Sequence, residues 1–314
     1  MKLAVIFNGQ GAHYEGMGLD FAAEYPAAKA TFEEAETISS LPLRQWIADD
    51  IDKFKETRYA QIAISATSIA IYNSIAPLLP AIDFMAGLSL GEYSSLIASG
   101  VLSQADGFKL LQERGDIMSA HCKELAKDTP VQMLAVMGMP LDQIEQLVAR
   151  ITETHPTLYI SNINSKQQVI VAGIEETIEL FKASAKELGF KKTIPLKVEG
   201  PFHSPLMEAT CQPFAEVLES VDLTEGIVPV ISNVTVEPNL LESLKEKLVR
   251  HLVEPVQWQP TIDYLTAQGV THLIQIGPGK TLAQLLKRDK EAPACLVVDK
   301  LEDVAGIESF LMGE

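Results

Sequence analysis

The 314-residue chain is short of cysteine, of basic residues and of aromatics: it has three Cys, 25 Lys and Arg against 42 Asp and Glu, and 6% Phe, Trp and Tyr. Cys122, Cys211 and Cys295 lie far apart, which fits neither a disulfide framework nor a CxxC redox or metal site. Reduced thiols and a cytoplasmic location are expected, with no metal. The deficit of positive charge leaves a net −17, a surface that repels phosphate backbones and anionic lipid, so neither nucleic acid nor membrane is an expected partner. No stretch approaches the roughly 18 apolar residues that span a bilayer. The opening MKLAVIFNGQG carries an apolar run too short for the core of a secretory signal. Gly and Pro, at 19 and 17 residues, are too few for a low-complexity chain, and 47% hydrophobic residues supply a sizeable core.

The apolar patterning places elements along the chain. Residues 3–7, LAVIF, form a short apolar run closed by NGQG and read as a buried strand. Residues 59–79 read as a buried helix ended by Pro77 and Pro80, 83–86 as a short strand, and 90–99 as a helix stopped by Gly100. Ser103 with Asp106 three residues on resembles a capping box for a helix reaching about Ala126. From about 130 to 198 the rhythm becomes strand VQMLAV, helix LDQIEQLVARI, strands TLYISN and QQVIVAG, helix EETIELFKASAKEL and strand KKTIPLKV. That order is βαββαβ, the ferredoxin-like split motif. Beyond it come a helix near 209–219, a strand VPVISN, a helix near 242–251, strand HLIQI, a Gly-Pro-Gly turn and helix TLAQLLKR.

Gly87-Leu88-Ser89-Leu90-Gly91 is a GxSxG run between a strand and a helical pattern, the setting of a nucleophile elbow. The glycines permit the turn, and the helix N-terminus supplies unpaired N–H groups, among them that of Leu90, to a developing oxyanion. A structural turn would give the same string. Among six histidines, His203 sits between two prolines in GPFHSP, stiff enough to hold a base in place and equally compatible with a surface loop. Its position, 111 residues from the C-terminal end, fits poorly with the α/β-hydrolase order of serine, acid, then a late histidine. Arg114 has Leu110, Leu111, Ile117 and Met118 as helical neighbours, so a permanent charge projects from an apolar stripe. A tertiary ion pair, a side chain that snorkels to solvent, or a substrate carboxylate would answer it. Gly279-Lys280-Thr281 mimics the end of a P-loop, but Ile274 stands where that motif needs glycine.

FNGQGAHYEGMG, AGLSLGEYSSL, LLQERGDIM, GPFHSPLM, EPVQW and QIGPGKTL follow one another in this order. Together they resemble the malonyl-CoA:acyl carrier protein transacylases of bacterial fatty acid synthesis, and the related acyltransferase domains of polyketide synthases, from residue 1 to about 290. The resemblance implies an α/β fold: a hydrolase-like large domain over 1–128 and 199–314 with a largely parallel sheet, and an inserted ferredoxin-like subdomain over 129–198. It implies Ser89 as nucleophile, His203 as general base, Arg114 as clamp on the malonyl carboxylate, and the N–H groups of Gln10 and Leu90 as the oxyanion hole. In this family a main-chain carbonyl orients the histidine, here that of His251, where glutamine is common. Asn8 and Leu88 also depart from the family's usual proline and histidine. Phe202 matches acyltransferases that prefer malonyl over methylmalonyl. Malonyl-CoA and acyl carrier protein are the implied substrates, with no cofactor and a monomer as the family default. Lys191, Lys192, Lys280, Lys287 and Arg288 are candidates for the carrier's basic landing site. A stand-alone acyltransferase of a polyketide or specialised-lipid assembly line and a serine thioesterase are the alternatives.

Overall fold

All five residues of LAVIF are buried, which requires cover on both faces and neighbours on both edges. The computed structural model, which describes residues 1–313, supplies both. Its strands are β1 (Leu3–Phe7), β2 (Phe84–Gly87), β3 (Val131–Met137), β4 (Leu158–Ser165), β5 (Gln168–Ile174), β6 (Thr193–Pro195), β7 (His272–Ile276) and β8 (Ala294–Val298). The first sheet runs β2-β1-β7-β8, every pairing parallel. The chain leaves β1 for one flank and returns to the other, so the strand order reverses there and the carboxyl ends of β1, β2 and β7 open on a crevice. Helix Thr57–Ile75 is buried on nearly every side, packed against helices Pro26–Ser39 and Gln104–Asp128.

The second sheet runs β4-β5-β3-β6 with antiparallel pairing throughout, the strand order of a ferredoxin-like βαββαβ unit. Strand alternation divides its side chains. Leu134, Val136, Val169 and Val171 pack with Ile144, Leu147, Ile178 and Phe181 beneath helices Leu141–Thr152 and Glu175–Glu187. Met133, Ala135 and Ile170 point the other way and join the main core. That second face closes one wall of the crevice.

Several elements differ from their sequence reading. KKTIPLKV forms a strand only over Thr193–Pro195, with single further bonds to β3 at Lys192 and Leu196, because the chain then turns away to carry the GPFHSP loop across the crevice. VPVISN makes only isolated bridges, Val230 with Met85 and Ile231 with Pro238, so it props the β2 edge without becoming a full strand. Edge strand β8 and the helices Leu19–Glu24, Pro26–Ser39 and Leu43–Asp49 carried too little periodic signal to be placed beforehand. Ser103 does cap the long helix, its hydroxyl accepting from the Asp106 N–H, and that helix runs to Asp128.

Candidate active site

Ser89 follows β2 and precedes helix Leu90–Ala98, with φ 53° and ψ −107°. A left-handed φ at a non-glycine residue is backbone strain held in place by its surroundings. Both flanking glycines are obligatory for a close approach. A Cβ on Gly87 would lie 1.9 Å from the Gly91 carbonyl carbon, and one on Gly91 would lie 2.2 Å from the Phe7 oxygen. Asn233 locks the turn from across the fold: it accepts from the Ser89 N–H at 2.8 Å and donates to the Gly87 carbonyl at 2.7 Å.

The Ser89 Oγ lies 2.7 Å from His203 Nε2, and His203 Nδ1 lies 2.7 Å from the His251 carbonyl oxygen. A carbonyl only accepts, so Nδ1 carries the proton and Nε2 is left to accept from the serine hydroxyl. His251 caps helix Leu241–Arg250, so the oxygen facing His203 sits at the negative end of a helix dipole and favours the imidazolium that forms during turnover. His203 also holds a positive φ, 56°. Its loop is pinned from the second sheet, where the Ser161 hydroxyl donates to the Phe202 carbonyl at 2.9 Å. Burial, with Arg114 nearby, pushes the His203 imidazole down to about 3, so the resting base is neutral.

Arg114 is 2% exposed. Its Nη1 donates to Gln61 Oε1 at 2.8 Å and its guanidinium lies over the Tyr93 ring at 4.9 Å, while Nε and Nη2 have no partner among the described residues. Of the answers the sequence left open, a tertiary ion pair is absent among the described residues, and a side chain so buried does not snorkel to solvent. Arg114, Ser89, His203, Gln10 and Leu90 line one cleft of about 240 Å³, walled by Met118, Met133, Ile170 and Phe202. Leu90 opens its helix, where an N–H has no acceptor within the helix. The Gln10 side chain donates to Thr57 Oγ1 at 3.0 Å, which anchors the NGQG loop at the cleft rim.

Asn8 is fully buried and uses its amide to bridge loops, donating to the Pro278 carbonyl at 2.6 Å and accepting from the Leu282 N–H at 3.4 Å. Leu88 lines the cleft. Lys192, Lys287 and Arg288 line an adjoining recess with Gln168 and Thr281, residues that also line the cleft. His121 bonds the Leu206 carbonyl at 2.8 Å. Among the described residues there is no cluster of three or more His, Cys, Asp or Glu placed to hold a metal, and no helix long and apolar enough to cross a membrane. Gln61, Glu92 and Asn233 were missed by sequence reasoning. A polar residue in an apolar helix marks Gln61, whereas Asn233 lies 144 positions from its partner and leaves no local signal.

Residues 5–311 match the model of the acyl transferase domain family. The malonyl CoA-acyl carrier protein transacylase of Bacillus subtilis is 38% identical over 289 residues, covering 91% of this chain and 90% of that protein. The crystal structure of MCAT from Streptococcus pneumoniae is 35% identical and superposes with a TM-score of 0.92, covering 98% of this chain and all of that one. A malonyl-transacylase solved in complex with its type II PKS acyl-carrier protein is 30% identical with a TM-score of 0.91, covering 98% of each chain. With the elbow, the base and the unanswered arginine in one cleft, the chain belongs to the acyl transferase family, among the malonyl CoA-acyl carrier protein transacylases.

Proposed function

We propose that the protein transfers a malonyl group from malonyl-CoA to the phosphopantetheine thiol of an acyl carrier protein, supplying fatty acid elongation. The observation that carries this reading is Arg114, a buried guanidinium with two donors unsatisfied, in the same cleft as a serine bonded to a histidine. A buried permanent charge is costly unless paired, and a carboxylate one malonyl length from the thioester would pair it. A neutral acetyl group would leave it alone, which gives selectivity.

Ser89 Oγ attacks the thioester carbonyl as its proton passes to His203 Nε2. The oxyanion sits between the N–H groups of Gln10 and Leu90, and CoA leaves with the proton. The carrier thiol then gives its proton to His203, attacks the malonyl-serine ester and departs as malonyl thioester, restoring the serine. No cofactor is needed. The fold divides into a catalytic unit, 1–128 and 199–314, of which residue 314 lies outside the described residues, and a small unit, 129–198, whose sheet roofs the cleft. The recess with Lys192, Lys287 and Arg288 suits the phosphates of CoA and of the carrier's arm, while Lys166 is answered by Asp289 and Glu291. The enzyme works as a cytoplasmic monomer.

Intact mass after brief exposure to malonyl-CoA tests the covalent step. A malonyl-sized increase on the wild type and none on Ser89→Ala is expected, with acetyl-CoA giving little adduct. Consumption of malonyl-CoA to free acid without transfer to carrier would establish a thioesterase instead.

A further inference from the structure

Glu92 lies one turn along the helix from Ser89, and its side chain is as buried as that of His251, each 1% exposed. Its Oε2 is 3.4 Å from His251 Nδ1. The His251 ring in turn stacks on His203, centroids 4.8 Å apart and planes 27° from parallel. Neither ring nitrogen of His251 has a hydrogen-bond partner among the described residues. The same carboxylate accepts from the Asn233 N–H at 3.2 Å and from Asn239 Nδ2 at 2.9 Å, and Asn233 is the residue that holds the Ser89 amide. One carboxylate therefore touches both halves of the dyad, the nucleophile through Asn233 and the base through the His251 imidazole.

We propose that Glu92 and His251 share one buried proton and act as a positioning pair whose charge sets the basicity of His203, the imidazole relaying a carboxylate to a base that lacks one of its own. This rests on the Ser89–His203 dyad. The carbonyl of His251 orients the base whatever side chain stands there, whereas the stacked ring depends on histidine at a position where the resemblance leads one to expect glutamine. The proton exchanges with solvent and does not travel to the serine. With the proton bound, the pair is neutral overall. With it released, the pair carries one negative charge behind His203 and stabilises the imidazolium of the transition state. The other charged groups bearing on the pair are Arg114 and Lys247, both of which favour the released form, and burial opposes it, which pushes the Glu92 carboxyl up to about 7.

The test is kcat/KM for malonyl transfer to carrier protein from about pH 5 to 9. The wild type is expected to step between two active plateaus near neutrality, about three- to tenfold apart, the lower one on the acid side. His251→Gln keeps the carbonyl and removes the proton acceptor, so its step should move to lower pH. Glu92→Gln should run flat at the lower plateau. Superimposable wild-type and His251→Gln profiles, or a step that survives in Glu92→Gln, would overturn the pair. Should Glu92→Gln fail to fold, histidine ring NMR of the wild-type enzyme decides: two ring signals moving together at the kinetic midpoint support it, and none moving there refutes it. Ser89→Ala keeps this separable, because an adduct formed without Ser89 would remove the dyad itself, whereas loss of the step alone leaves the dyad standing.

Discussion

A guanidinium with two silent donors is an unusual thing for a protein to bury, and the proposed selectivity of the cleft turns on Arg114. Arg114→Ala should lower kcat/KM for malonyl-CoA by about 10²–10³-fold, the cost of losing a charge-assisted pair of bonds, while leaving the slow reaction of acetyl-CoA within about threefold. Steady-state kinetics with both thioesters check this. Equal losses on both would mean that Arg114 props the cleft without reading the acid. Gln61→Ala removes the bond that aims Arg114 and should raise KM by about tenfold with a smaller change in kcat. Ser89, His203 and Arg114 were legible because each sits in a short motif, and Arg114 also because a charge on an apolar stripe is a local contradiction. Asn233 and Glu92 were not, because their partners are distant in sequence and nothing near them in the chain marks them, and Gln61, though a polar residue in an apolar helix, gives no hint that it answers Arg114.

The elbow is an element built on two glycines and a remote asparagine. Gly91→Ala drives a methyl group into the Phe7 carbonyl, so the variant should be mostly insoluble or melt far below the wild type. Asn233→Ala leaves the Ser89 N–H and the Gly87 carbonyl unpaired and should cost about 2–4 kcal/mol by chemical denaturation, with a loss of kcat in the fraction that folds. At this scale the sequence was a good guide wherever periodicity had one cause. LAVIF, the long helix after Ser103 and the βαββαβ order all appear as read. It misled where tertiary contacts took over. KKTIPLKV looks like a long strand, yet its ladder with β3 is short, Thr193–Pro195 flanked by single bonds at Lys192 and Leu196, before the chain leaves to carry His203. ACLVV, half-exposed on a sheet edge, lacks the buried pattern that announces a strand.

Titration couples these parts to the stability of the whole molecule. Burial holds His203 at about 3 and His251 well below the ordinary 6.5, so the unfolded chain takes up two protons that the native chain refuses as pH falls through 6.5. Glu92, raised from 4.5 to about 7, works the other way across most of that range. Below pH 6.5 the two histidines together outweigh the opposing carboxyl, so these groups contribute stability that is present at neutrality and lost on acidification. His251→Gln removes one of the two histidines, and its melting temperature should fall less steeply with acid over the same window. If the recess of Lys192, Lys287 and Arg288 receives the carrier on a chain of net charge −17, Lys287→Glu with Arg288→Glu should raise the carrier KM by about tenfold at low salt, converging with the wild type as salt screens both. Ser89, the Ser161 that pins the base and the His251 carbonyl that orients it are contributed by segments spread across more than half the chain. Contacts of such sequence separation form late. The Ser89–His203–His251 array is therefore complete only when the segment through Val256 has docked against Asn162 on β4, so a partly folded chain holds a serine without its oriented base.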